Sequence, residues 1–198
     1  MRGRGMLVII SGPSGSGKGT VVKELNYALS ISVTTRKPRQ GERHGIDYFF
    51  CTEDEFFHMR ENNELLEHAL FVGQYYGTPR HYVEEQIEKG KVVVLEIEVN
   101  GALQVKEKFP DAVMIFLIPP TLNELARRLA FRNTEDHLEI EDRMTRALEE
   151  IQLIQRYDYL VTNDDLSLTR QEIETIINAE YLKPHRSLER IEKFTHSS

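Results

Sequence analysis

The stretch Met6-Leu7-Val8-Ile9-Ile10-Ser11-Gly12-Pro13-Ser14-Gly15-Ser16-Gly17-Lys18-Gly19-Thr20 decides the fold. Its first half is a short apolar run rich in branched side chains, the pattern of a strand buried on both faces. That run meets Gly-x-x-x-x-Gly-Lys at Gly12 to Lys18, and a helical pattern follows. Strand, glycine turn and helix together form the setting in which this motif binds phosphate, as a P-loop. The glycines let backbone amides turn inward around an anion, the helix start adds partial positive charge, and Lys18 can reach a transferred phosphate. A turn that merely caps a helix is the alternative, and the setting disfavours it. The candidate phosphate ligands are therefore Gly12, Pro13, Ser14, Gly15, Ser16, Gly17, Lys18, Gly19 and Thr20. Gly19 stands where many such loops carry a hydroxyl ligand for magnesium, which leaves Thr20, one step later, as the candidate, directly or through water.

Outward from this loop the strand pattern recurs at Lys91 to Ile97, Ala112 to Ile118 and Asp158 to Thr162, with helical stretches between. Alternation of this kind predicts parallel strands in one sheet with helices on both faces. Capping-box spacing marks helix starts at Thr52 with Glu55 and at Thr121 with Glu124. Thr78 before Pro79 predicts an N-cap with proline in the first turn, and Gly90 the stop. A last helix is expected from about Ser167 to Leu182, burying Ile173, Ile176, Ile177 and Leu182, with Pro184 ending it and a charged tail beyond. Two stretches break the alternation. Residues 29–88 carry short Thr-, Tyr- and Phe-rich strands with a helix, and residues 123–143 are unusually charged. The expected architecture is thus an α/β three-layer P-loop fold with a central parallel sheet (residues 1–28, 89–122 and 144–198), an inserted mixed α+β subdomain (29–88) and a helical lid (123–143).

Composition narrows the partners. A chain of 198 residues supports one substantial core, and a formal charge of −7 argues against a nucleic-acid-coating protein. The single cysteine, Cys51, cannot form an internal disulfide, and the start lacks the order of a signal peptide, so a reducing cytoplasm is expected. The apolar runs are far shorter than the roughly 20 residues of a membrane span. The histidines show no metal-ligand spacing, so no protein-held transition metal is expected.

Three further segments carry the chemistry: Ser32 to Phe50 (SVTTRKPRQGERHGIDYFF), Leu65 to Arg80 (LLEHALFVGQYYGTPR) and Leu95 to Ala102 (LEIEVNGA). With the P-loop, this ordered set resembles bacterial guanylate kinases over nearly the whole chain. The resemblance implies ATP as donor, GMP (and dGMP) as acceptor and magnesium with the ATP. It places Ser32, Glu67 and Thr78 at the base. Guanine offers an acceptor O6 beside donors at N1 and N2, so a hydroxyl next to a carboxylate suits it. It also makes Arg36 and Arg39, with Tyr48 and Tyr76, the clamp on the GMP phosphate, where an arginine fork fits phosphate oxygens. Tyr75, Phe49 and Phe50 read instead as core aromatics. Glu96 and Glu98 lie at the carboxyl end of a strand, where open α/β sheets bind ligands. Many relatives have Asp-Ile-Asp here, so Glu98 reads equally as a GMP or hydrated-magnesium contact and as a helix-start acid.

In the charged stretch, Arg128 and Arg132 are four apart on one helix face and Arg143 returns from the next helix. Their spacing resembles the family's arginine-lined lid, although Phe131 and Asn133 stand where relatives have glycines. A solvated face paired with Glu135, Asp136 and Glu139 is the plainer reading, and it is preferred for Arg127. Asn163, in Val161-Thr162-Asn163-Asp164-Asp165, resembles the family's adenine-side contact or is an ordinary Asn-Asp turn. Only about a dozen residues separate Thr20 from Ser32, fewer than in relatives, which predicts a trimmed turn near Asn26 and Tyr27 or residues missing from the sequence. The resemblance casts Lys18, Arg36, Arg128, Arg132 and Arg143 as the catalytic cations. Two rivals remain: a kinase of another phosphorylated acceptor such as a ribose bisphosphate, and a non-catalytic binding module of the same fold. Monomer and homo-oligomer both stay open.

Overall fold

The computed structural model describes residues 5–131 and 137–196. Strand β1 (Met6–Ser11) is buried along its whole length, and its alternate side chains feed two cores. Helix α1 (Lys18–Glu24) is only seven residues long and leads through Leu25, Asn26 and Tyr27 into the short strand β2 (Ala28–Leu29). This two-turn helix is how the chain closes the brief interval after Thr20.

Strands β3 (Val33–Thr34) and β4 (Phe49–Phe50), helix α2 (Glu53–Glu61), and the hairpin β5 (Leu65–Phe71) and β6 (Gln74–Pro79) build a separate mixed sheet in the order β4-β3-β6-β5. β3 runs parallel to β4 and antiparallel to β6. Phe56, Val33 and Leu65 are its buried centre, with Phe49 and Tyr75 packed around them. The capping box at the start of α2 is formed in both directions, Thr52 with Glu55. The expected N-cap at Thr78 is not formed. Residue 78 is still in β6, helix α3 (Arg80–Glu88) begins after Pro79 without a side-chain cap, and the Thr78 hydroxyl turns to Glu67.

β7 (Val92–Glu96), α4 (Val99–Lys108), β8 (Val113–Ile118), α5 (Leu122–Phe131), α6 (His137–Gln152), β9 (Tyr159–Thr162), α7 (Leu166–Glu180) and α8 (Leu188–His196) complete the chain. The main sheet has the order β2-β7-β1-β8-β9, and every pairing in it is parallel. On one face Val8 and Ile10 pack against Val21 of α1 and Ile173 and Ile177 of α7. On the other, Leu7 and Ile9 pack against Val83 and Ile87 of α3 and Ala102 and Val105 of α4. The three layers expected from the sequence are these. Leu182 lies beyond α7 and is 62% exposed, so it does not join the core as expected; the helix ends at Glu180, before reaching it.

Because β7 and β8 flank β1 and the chain crosses from β7 over β1 to β8, the carboxyl ends of the central strands open on a crevice, the usual ligand site of such sheets. Ser11, Glu96, Ile118 and Thr162 end there.

Candidate active site

The P-loop leaves β1 through glycines held in conformations that other residues avoid: φ is 146° at Gly12, 86° at Gly15 and 89° at Gly17. Space is as restrictive as φ. A Cβ on Gly12 would lie 2.2 Å from the Leu117 carbonyl oxygen, and one on Gly17 would lie 2.3 Å from Asn163 Nδ2. Lys18 donates from Nζ to the carbonyls of Gly12 (2.6 Å) and Pro13 (3.1 Å), keeping its charge over the loop.

Three hollows meet around this loop. The first, about 410 Å³, is lined by the loop, Glu96, Glu98 and a face of α6. The second, about 330 Å³, shares Gly15 and Gly17 with the first and includes Thr20, Arg128 and Asn163. The third, about 510 Å³, is framed by Ser32, Tyr48, Glu67 and Tyr76. The first and third share Phe71, Glu96, Ile97 and Glu98. A ligand in the third hollow can therefore meet one lying on the loop.

In the third hollow Glu67 is 6% exposed, and Oε1 accepts the Thr78 hydroxyl at 2.7 Å. Burial pushes its carboxyl above the usual range, and nearby Glu98 adds to this, against the pull of Thr78 and Lys108. Gly101 gives it room, since a Cβ there would stand 3.1 Å from Oε2. Ser32 lines the same hollow, and its carbonyl is taken by the Phe49 amide at 2.8 Å. Arg36 reaches toward this mouth: Nη2 donates to Glu42 at 2.8 Å, Nη1 to the Lys37 carbonyl at 2.8 Å, and its carbon lies 5.2 Å from the Tyr48 ring centre. The pairing with Glu42 raises the guanidinium pKa and lowers that of the carboxyl. Tyr48 and Tyr76 stand edge to face at 6.2 Å. Arg39 is exposed, and its amide donates to Glu42 at 2.7 Å.

Glu98 is the N-cap residue of α4, yet its side chain caps no amide and instead lines the first and third hollows. Glu96 lies over the start of α1, its Oε1 3.1 Å from where a Gly19 Cβ would be. Thr20 is exposed and lines the second hollow, which neither carboxylate lines.

Helix α5 rests on the loop: Leu125 and Leu129 would both touch a Gly15 Cβ at 3.1 Å. Arg128 donates to Glu124 (2.7 Å), to the Asn163 carbonyl (3.0 Å) and, at 3.5 Å, to the Ser16 carbonyl. Arg127, largely exposed, forks onto Glu124 at 2.7 and 2.8 Å, the solvated pairing preferred for it, though with a different acid. Arg127 and Arg128 together hold the Glu124 carboxyl down at about 2. Arg143 reaches Ser14 Oγ at 3.4 Å. Arg132 lies outside the described residues. Asn163 is 7% exposed, and its Nδ2 donates to the Ser16 carbonyl at 2.8 Å.

Two residues were not foreseen. Arg146 and Glu150 line the first hollow one and two turns along α6 from Arg143. Burial pushes the Glu150 carboxyl up, while Lys18 draws it down. The spacing 143, 146, 147, 150 is one helix face, and that periodicity was the available signal.

A buried phosphate loop at a sheet switch point, ringed by arginines and joined to a second polar hollow, defines a P-loop kinase. Residues 4–180 match the model of the guanylate kinase family. The chain is 52% identical to a guanylate kinase of Bacillus cereus, covering 92% of each chain, and 50% identical to that of Bacillus subtilis, covering 98% of each. It also superposes on the crystal structure of guanylate kinase from Anaplasma phagocytophilum with a TM-score of 0.73 and 33% identity, over 97% of this chain and 95% of that one. The chain belongs to the guanylate kinase family.

Proposed function

We propose that the chain transfers the γ-phosphoryl group of ATP to GMP, and to dGMP, giving ADP and GDP or dGDP in purine nucleotide metabolism. The observation that carries this reading is the wall of Phe71, Glu96, Ile97 and Glu98 common to the loop hollow and the hollow of Glu67, which lets two nucleotides meet end to end. ATP lies with its phosphates on Gly12 to Thr20 and its base toward Asn163. GMP lies with guanine against Ser32, Glu67 and Thr78 and its phosphate under Arg36, Arg39, Tyr48 and Tyr76, near Glu98. The free Oε2 of Glu67 accepts from guanine N1 and N2, and Thr78 fixes the carboxylate plane through Oε1. Arg36 exchanges part of its bond to Glu42 for phosphate oxygens, a stronger charge-assisted pairing in a drier site.

The acceptor oxygen of GMP is anionic near neutral pH, so the protein needs no strong base; positioning and charge neutralisation suffice. Lys18, Arg36, Arg128, Arg132 and Arg143 are the cations that supply it. Magnesium enters with ATP. Among the described residues no group of three or more His, Cys, Asp or Glu gathers to cage a metal. The Glu96 and Glu98 oxygens suit the water shell of an ion that ATP already holds, and Thr20 is the remaining hydroxyl candidate. A magnesium ion held there would neutralise charge on the transferring phosphates. Residues 29–88 and 123–143 are assigned as the acceptor-binding subdomain and the lid, whose closure excludes water and suppresses ATP hydrolysis.

Among the described residues no helix is long and apolar enough to cross a membrane. We place the enzyme in the cytoplasm, as monomer or homo-oligomer, with no nucleic-acid or membrane partner. A coupled ADP-release assay with GMP, dGMP, AMP, dTMP and ribose bisphosphate tests the assignment. Turnover with the two guanine nucleotides alone is expected. Equal turnover with AMP or ribose bisphosphate refutes the acceptor, and no turnover with any refutes the enzyme.

A further inference from the structure

Asn163 faces the base side of the loop, yet its amide is spent inside the protein. Nδ2 stands 2.8 Å from the carbonyl oxygen of Ser16, and the side chain is 7% exposed. Because a carbonyl only accepts, the atom facing it must be the NH2, which fixes the amide's orientation. Arg128 Nη1 approaches the same oxygen at 3.5 Å. The site of a Gly17 Cβ lies 2.3 Å from Nδ2, so glycine at 17 is required by this contact as well as by its φ of 89°.

The Ser16 carbonyl and the Gly17 N–H belong to one peptide group. No cis peptide occurs among the described residues, so the two point in opposite directions. Holding the carbonyl against Asn163 turns the N–H away from Asn163, and of the two hollows that Gly17 lines the loop hollow is the one Asn163 does not line. A glycine peptide is the easiest in the loop to flip, since glycine accepts positive and negative φ about equally.

We propose that Asn163 is a positioning residue: its side-chain amide locks the Ser16–Gly17 peptide so that the Gly17 N–H faces the phosphates of the bound nucleotide. This rests on the reading of the loop hollow as the ATP phosphate site. It separates Asn163 from base recognition: one N–H of the amide is given to Ser16, Oδ1 accepts the Thr169 hydroxyl at 3.3 Å, and the side chain is 7% exposed.

The test compares ATP with inorganic tripolyphosphate, which has the phosphates and no base, by calorimetry on wild-type protein and Asn163→Ala. Loss of one charge-assisted donor predicts that both affinities fall by the same factor, about 10–100. Asn163→Asp, which offers only acceptors to the Ser16 carbonyl, is expected to lose more. A fall for ATP with tripolyphosphate unchanged would make Asn163 a base contact and overturn the proposal, as would no change for either. If the variants do not fold, amide NMR of the wild-type protein decides: the Gly17 N–H proton should shift downfield on adding tripolyphosphate, and an unmoved resonance refutes the lock. No acceptor is present in these measurements, so failure of GMP as a substrate would leave their outcome standing.

Discussion

Replacing Glu67 with Gln tests the acceptor assignment and the energetics of a buried carboxylate together. The side chain is 6% exposed, one oxygen is committed to Thr78 at 2.7 Å, and the other has room beside Gly101. Guanine N1–H and N2–H donate toward that second oxygen in the proposed complex. Gln either turns its NH2 toward those donors or turns it toward Thr78, and in both arrangements a charge-assisted bond is lost. At about 1.5–3 kcal/mol for each such bond, with an added cost for a donor left facing a donor, the loss is roughly 3–5 kcal/mol. This corresponds to a fall in kcat/KM for GMP between about a hundred-fold and a few thousand-fold, with the Kd of ATP unchanged. Stability should move the other way. Burial raises the folded-state pKa of Glu67, so its unfavourable contribution is absent below the unfolded value and develops as pH rises through the folded one. Thermal melting of Glu67→Gln should therefore match or exceed wild type at pH 7 to 8, with the gap closing toward pH 4. Steady-state kinetics with GMP and ATP varied in turn, and melting at several pH values, check both halves. Equal losses for the two nucleotides, or a Tm well below wild type at neutral pH, would refute the reasoning.

Lys18→Met should lower kcat by roughly 30- to 1000-fold, the about 2–4 kcal/mol typical of one transition-state donor, while GMP affinity measured by calorimetry stays as it was. Guanosine binding should weaken on acidification beginning above the ordinary carboxylate range, because Glu67 must be ionised to accept from the base and its pKa is raised; guanosine is chosen because it has no phosphate to titrate, and Glu67→Gln should abolish the dependence. Tyr159→Phe removes the 2.6 Å hydroxyl donor to Glu180, a buried carboxyl held below its ordinary pKa because Tyr159, Lys183 and Arg186 outweigh the opposing effect of burial. A depressed carboxyl stabilises the fold above its unfolded pKa and loses that contribution as pH falls through the folded value, so the variant should lose about 1 kcal/mol at pH 7 and less near pH 2, read by urea titration.

The parts of this site that can be read along the chain are those fixed by local rules. β1 and the P-loop are legible because a fully buried strand needs an unbroken apolar run and the turn needs glycine where φ is positive. The capping box at Thr52 is legible because both partners lie within one helical turn. Strands β2, β3 and β4 are two residues each, too short for any period to register, and only their pairing defines them. Thr78 shows how one residue supports two local readings: before proline a threonine suits an N-cap, but here β6 runs on through Pro79 and the hydroxyl faces Glu67, eleven residues back. The Glu42 that holds Arg36 is similarly masked, because only the turn between them brings carboxylate to guanidinium. Asn163 is the limiting case. Its partner Ser16 is 147 positions away, and nothing local to either residue sets their distance. That distance is set by β1 and β9 lying on either side of β8, so that the residues just past their carboxyl ends meet over the loop. The sheet order thus supplies what the motif lacks: a donor on the outside of the turn that decides which way its most pliable peptide faces.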